Sequence, residues 1–213
     1  MIYSFLTNYL YISIEIFSLE NKIYYCIFVP EFKHERMKRV LAFAGSTSST
    51  SINKQLAQFA AENVNNVEFD VIDLREFEMP IYSSDEEKNG VPENAVAFSN
   101  VLDNYDGYIL SLAEHNGSYA AGFKNIFDWS TRIEKKVFRN KPLLLMATSP
   151  GGRGGQNVLN GAVGYFPFMG AGAISSFSLP NFYDNFKDGK IINEDLLKQL
   201  QIAVSEFQSA VNQ

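Results

Sequence analysis

The chain has 213 residues, a length that suits one α/β domain with a little to spare. Apolar residues at 46% and charged residues at 20% can fill a core, and a net charge of −6 argues against a nucleic-acid-binding surface. Cys26 is the single cysteine, which excludes an intrachain disulfide or a cysteine metal cluster and fits a reducing, cytoplasmic setting.

The first 36 residues differ in character from the rest of the chain. They lack glycine and are crowded with Tyr, Phe and Ile. Ile12–Ile16 alternates as a strand does, Ile23–Val29 is apolar and β-prone, and Asn21-Lys22 can turn a hairpin between them. A signal peptide opens with positive charge, yet no Lys or Arg precedes Lys22. Glu15 and its polar neighbours argue against a membrane span. Met37 stands directly before a natural first buried strand. The pattern therefore points to translation starting at Met37, with residues 1–36 a gene-start error and 37–213 the folded domain.

From Met37 onward strands and helices alternate. Val40–Ala44 reads as the first strand. Ile52, Leu56, Phe59 and Ala60 recur at helical spacing, which predicts a helix from about Ser51 to Asn63. Val67–Leu74 is the second strand, and a polar loop runs from Met79 to Gly90. Pro92 opens a helix reaching about Asn104. Tyr108–Ala113 is the third strand, followed by a loop over 114–119 and a helix carrying Phe123, Ile126, Phe127 and Trp129 to about Ile133. Phe127 and Trp129 read as core or subunit interface. Leu143–Thr148 is the fourth strand and Ser149–Gly155 its loop. A helix marked by Val158 to Phe166, a strand over Ala173–Leu179 and an amphipathic helix from Leu196 to Phe207 complete the chain.

Five apolar strands separated by helices indicate a parallel sheet covered on both faces. Ligands of such sheets bind beyond the carboxyl ends of the strands, where the strand order switches. The loops after strands one, three and four all fall at that edge. The first, Gly45 to Asn53, has hydroxyls on all six residues from Ser46 to Ser51 and precedes a helix. A helix start offers unpaired N–H groups and the positive end of a dipole, so this loop can hold a phosphate. It is neither a P-loop nor a dinucleotide fingerprint, since it has no Gly-Lys-Ser/Thr and only Gly45 is glycine. With no basic residue before Lys54, the donors would be backbone amides and the side chains of Ser46, Ser48, Ser51 and Asn53.

Gly45-Ser46-x-x-x-x-Ser51-x-Asn53 resembles the phosphate loop of the NADPH-dependent FMN reductase family. Glu114-His115-Asn116-Gly117-Ser118-Tyr119, with Lys124-Asn125-x-x-Asp128-Trp129, resembles its second signature, and Ser149-Pro150-Gly151-Gly152-Arg153-Gly154-Gly155 its third. Two positions depart from the family: Ser48 stands where an arginine is usual, and Ala113-Glu114-His115-Asn116 where Pro-Glu-Tyr-Asn is usual.

The resemblance, from about Lys38 to the C-terminus, implies a flavodoxin-like three-layer sandwich. It also implies hydride transfer from NADPH or NADH through bound FMN to a second acceptor such as free flavin, a quinone, an azo compound or a metal oxyanion. A flavin-binding electron carrier without its own NAD(P)H site stays open as an alternative. The cofactor residues so implied are Gly45, Ser46, Ser48, Ser51, Ile52 and Asn53 at the phosphate. Glu114, His115, Asn116, Gly117, Ser149, Gly151, Gly152 and Arg153 are implied at the ring, with Arg153 open to meeting the NADPH phosphate instead. No catalytic acid or base is compelled, because a flavin needs neither a nucleophile nor a metal from the protein. Similar proteins associate through helices beside the flavin, with the loop carrying Tyr82 near a partner's site, which implies a homodimer or homotetramer.

Overall fold

The computed structural model describes residues 9–17, 22–30 and 36–213. The chain divides into two compact units, Met1–Arg36 and Met37–Gln213. In the first, strands β1 (Tyr9–Phe17) and β2 (Lys22–Pro30) pair antiparallel, with Tyr9 opposite Pro30 and Phe17 opposite Lys22. Both predicted strands are present and are longer at each end. Lys22 already belongs to β2, and Asn21 lies outside the described residues.

The second unit runs β3 (Lys38–Gly45), α1 (Ile52–Glu62), β4 (Val67–Val71), α2 (Glu93–Asp103) and β5 (Gly107–Leu112). The short strands β6 (Glu114–His115) and β7 (Ser118–Tyr119) lead into α3 (Ala121–Ile133) and β8 (Lys141–Thr148). Next come α4 (Gln156–Tyr165), β9 (Ala171–Leu179) and the single turn α5 (Phe182–Asn185). A small hairpin of β10 (Phe186–Lys187) and β11 (Lys190–Ile191) precedes α6 (Glu194–Val211).

Strands β4-β3-β5-β8-β9 form an all-parallel sheet in that order. This is the flavodoxin-like order, with its switch point at β3 and β5. Residues alternate between the faces as the pleat requires. Val40 and Ala42 join Leu56, Ala60, Leu200 and Phe207 under α1 and α6. Leu41 and Phe43 join Phe98, Phe123, Phe127 and Phe166 under α2, α3 and α4. Helices on both faces explain why β3, β5 and β8 read as continuous apolar runs. Trp129 and Phe127 are both core residues.

The second strand is shorter than its sequence suggests. It ends at Val71, and Leu74 starts a turn of 3-10 helix capped by Asp73, whose carboxylate accepts from the Arg75 N–H at 3.0 Å.

Candidate functional site

The hydroxyls after Gly45 brace the loop from within. Buried Ser46 accepts from the Ser48 N–H at 3.2 Å, and the Ser48 hydroxyl takes the Thr50 N–H at 3.4 Å. Ser51 is the N-cap of α1, extended at φ −60° and ψ 116°, and its Oγ accepts from the Lys54 N–H at 3.2 Å. Among the described residues, no acceptor serves the N–H groups of Ile52 and Asn53. The first turn of α1 contains no acidic residue. Two open donors, a positive helix end and exposed Ser48, Ser49 and Thr50 make a seat that fits a phosphate monoester.

Asn53 turns its side chain away from the loop. Its side chain is buried and turned toward the sheet, where Oδ1 accepts from Ser111 Oγ at 2.7 Å and from the Thr148 N–H at 3.0 Å. Nδ2 donates to the Thr148 carbonyl oxygen at 3.2 Å. Oδ1 and one N–H of Nδ2 are engaged at the sheet, and the open group of Asn53 at the helix start is its backbone N–H. Ile52, half-buried against the α1–α6 core, likewise offers only backbone.

The segment 114–119 is a hairpin and not an irregular loop. Glu114 pairs with Tyr119 and His115 with Ser118. Asn116 and Gly117 make the turn with φ of 52° and 78°, the two positive values of a type I′ turn. The Asn-Gly dipeptide was the signal for it. His115, Asn116 and Gly117 are exposed on this hairpin.

Glu114 reaches across to the third loop. Its Oε2 accepts from the N–H groups of Asn157 and Val158, each at 3.0 Å, and its Oε1 from Asn157 Nδ2 at 3.2 Å. It therefore caps α4, the helix after the third loop, and fixes the hairpin to that loop. A carboxylate at a helix start is also favoured by the dipole. Tyr119 lies flat on Phe166, 6.0 Å between ring centres, and burial pushes its phenol up to about 12.

In the third loop the Ser149 hydroxyl donates to the Gly151 carbonyl oxygen at 3.2 Å. The Asn181 and Phe182 N–H groups tie down the carbonyls of Gly151 and Ser149. Gly152 and Arg153 are exposed, and Arg153 Nη2 donates to Asn157 Oδ1 at 2.7 Å. Asn157 thus links Glu114 and Arg153. The glycine requirement falls at the end of the loop, where Gly155 has φ 75° and an added Cβ would sit 2.8 Å from Ala147 Cβ.

Asn125 and Trp129 hold the Met79–Gly90 loop against α3. Asn125 Oδ1 accepts from the Tyr82 N–H at 2.8 Å, and Trp129 Nε1 donates to the Pro80 carbonyl oxygen at 2.8 Å. The Tyr82 ring meets Trp129 edge-on and its hydroxyl donates to Glu87 at 2.8 Å. Thr47 leans on the start of α3: a Cβ at Gly122 would lie 2.5 Å from Thr47 Cγ2.

Sequence reasoning missed an ion cluster beside the first loop. Asp73 accepts from Arg75 Nε and Nη2 at 3.0 and 2.8 Å and from Lys54 Nζ at 2.8 Å. The Arg75 fork holds the Asp73 carboxyl far below the usual carboxylate range. Asp73 and Arg75 meet within one turn, but the approach of Lys54 depends on the β3–β4 pairing, which no local spacing encodes.

The structure thus brings the three loops to one edge, and joins the second and third through Glu114 and Asn157. Among the described residues, no group of three or more metal-ligating side chains occurs.

Residues 38–184 match the family described as NADPH-dependent FMN reductase. A 2-hydroxy-1,4-benzoquinone reductase from Burkholderia sp. is 29% identical over 180 residues, covering 79% of this chain and 93% of that one. An NADPH:quinone oxidoreductase from Arabidopsis thaliana is 27% identical over 183 residues, covering 79% and 91%. Among solved structures, a flavoenzyme NAD(P)H:(acceptor) oxidoreductase from Paracoccus denitrificans has the same fold, with a TM-score of 0.65, 23% identity and coverage of 82% and 97%. A flavodoxin-like sheet and a family match over that sheet agree: the chain belongs to the NADPH-dependent FMN reductase family and is an FMN-dependent oxidoreductase that takes hydride from NAD(P)H.

Proposed function

We propose that the chain seats the FMN phosphate at the start of α1 and reduces a quinone as its second acceptor. The observation that carries the seat is the pair of open N–H groups at Ile52 and Asn53, in a helix start without an acidic side chain. Ser46, Ser48 and Ser51 line that seat, with Gly45 at its back. The ring would lie against the backbone of Glu114, His115, Asn116 and Gly117 on one side and of Ser149, Gly151, Gly152 and Arg153 on the other. Bound FMN supplies the hydride relay between NAD(P)H and the acceptor. The chain's part is to hold the two ring-side segments in register, which Glu114 does by capping α4.

The quinone reading is supported by the relatives from Burkholderia and Arabidopsis, both named for quinone reduction. A homodimer or homotetramer in the cytoplasm completes it. The exposed rings of Tyr165 and Phe168, near α3 and α4, give apolar surface for self-association, and among the described residues no helix is long and apolar enough to cross a membrane.

The test is anaerobic addition of NADPH to the FMN-loaded protein, then addition of a benzoquinone, an azo dye or free FMN. Flavin absorbance bleaches and recovers fastest with the quinone. Bleaching without quinone-driven recovery would remove the acceptor assignment. No bleaching by NADPH or NADH would favour an electron carrier.

A further inference from the structure

We propose that Lys54 supplies the counter-charge to the FMN phosphate. This rests on the seat proposed above at the start of α1. Residues 46–53 contain no basic side chain, and Lys54 is the first cation after them. A phosphate monoester at neutral pH carries between one and two negative charges, more than the helix end alone balances.

Lys54 is the third residue of α1, and helical side chains lean back toward the helix N-terminus. Its stem therefore runs toward the hydroxyl loop. Its ammonium rests on Asp73, and Asp73 lies beside that loop. Val71 pairs with Ala42 and the Ile72 N–H donates to the Ala42 carbonyl oxygen at 3.1 Å, which sets Asp73 next to the last residues of β3. Gly45 and Ser46 come directly after.

Asp73 does not depend on Lys54. Arg75 already gives it three hydrogen bonds, from its backbone N–H, Nε and Nη2, at 3.0, 3.0 and 2.8 Å. Two cations meet on this one carboxylate, and Glu76 acts on Arg75 as a second negative charge, so Arg75 stays balanced when Lys54 leaves. Lys54 uses one of its three donors on Asp73, and its side chain is 35% exposed, so it has room to turn. Asp73 thus parks a mobile cation beside the seat, and Arg75 keeps the carboxylate paired when that cation moves to the phosphate.

The experiment compares FMN with riboflavin, which lacks the phosphate, by titration into the flavin-free protein. The wild type binds FMN more tightly than riboflavin. Lys54→Met weakens FMN by about tenfold or more and leaves riboflavin unchanged. Lys54→Arg restores most of the FMN preference, and unfolding temperature checks that each variant is folded. Equal losses for both flavins, or no loss for FMN, would overturn the role of Lys54. Should Lys54→Met not fold, Lys54→Gln carries the same comparison. A wild type that does not distinguish FMN from riboflavin would instead remove the phosphate seat itself.

Discussion

Asn53 on α1 treats Thr148 as a neighbouring strand would, accepting its N–H at 3.0 Å and donating to its carbonyl oxygen at 3.2 Å. The β5 ladder ends one step earlier, at Leu112 opposite Ala147. The amide of Asn53 thus continues the pairing where β5 has run out, and the same oxygen takes Ser111 Oγ. The link fixes the height of α1, and so of the proposed phosphate seat, against the two strands that carry the other loops.

Removing that link leaves buried polar groups unpaired. Asn53→Ala should destabilise the domain by about 2–4 kcal/mol, since a buried donor or acceptor without a partner costs about 1–3 kcal/mol. Urea unfolding of the flavin-free protein measures it. A loss below about 0.5 kcal/mol would show that water replaces the amide at Thr148.

Glu114→Ala should cost about 1–2 kcal/mol by uncapping α4. Amide exchange at Asn157 and Val158 should speed up, with the first turn of α3 unaffected. Faster exchange at Ala121 to Phe123 instead would place the cap on α3 and contradict the hydrogen bonds from α4 to Glu114.

Ser46→Ala with Ser51→Ala should weaken FMN binding by about 1–3 kcal/mol if both hydroxyls turn to the phosphate. Both are occupied within the loop, and Ser51 also caps α1, so a stability loss near 1 kcal/mol is expected alongside. Calorimetric titration with FMN separates the two effects. Ser48→Arg should tighten FMN binding, because position 48 is exposed beside the seat. Looser binding in that variant would show that the loop takes another path around the ligand.

Asp73 gives the domain a predictable pH dependence. Its folded pKa lies below the unfolded value of about 3.9, so its stabilisation is complete above that value and is lost as pH falls through the folded one. Asp73→Asn should therefore be less stable than the wild type at pH 7, and the gap should narrow below about pH 4. Denaturant midpoints at pH 7, 5 and 3 test this. A gap independent of pH would mean that the Arg75 hydrogen bonds, and not the charge, carry the effect.

The sheet was legible because β3, β5 and β8 are buried on both faces, which makes Leu41–Ala44 or Leu143–Ala147 unbroken apolar runs. Edges were less clear. The β8 ladder begins at Lys141 and β9 at Ala171, where polar or small residues hide the pairing. Two hairpins passed unread although each carries a two-residue turn of positive φ, Asn116-Gly117 and Asp188-Gly189. Their strands are two residues long, too short for any alternation to show. The three loops were recognisable by composition, but what their side chains do was not. Asn53 and Glu114 read as cofactor contacts, and the side chains of both are engaged with partners 95 and 43 or 44 residues away. Spacing along a chain does not report such distances.

The contact between Thr47 and Gly122 binds two stretches of sequence to a common history. A side chain at 122 would meet the threonine methyl, so enlarging position 122 requires Thr47 to turn aside or become smaller. The hydroxyl loop and the start of α3 are thus expected to drift together among relatives, and a graft of either one alone into another member should disturb the loop it was meant to transfer.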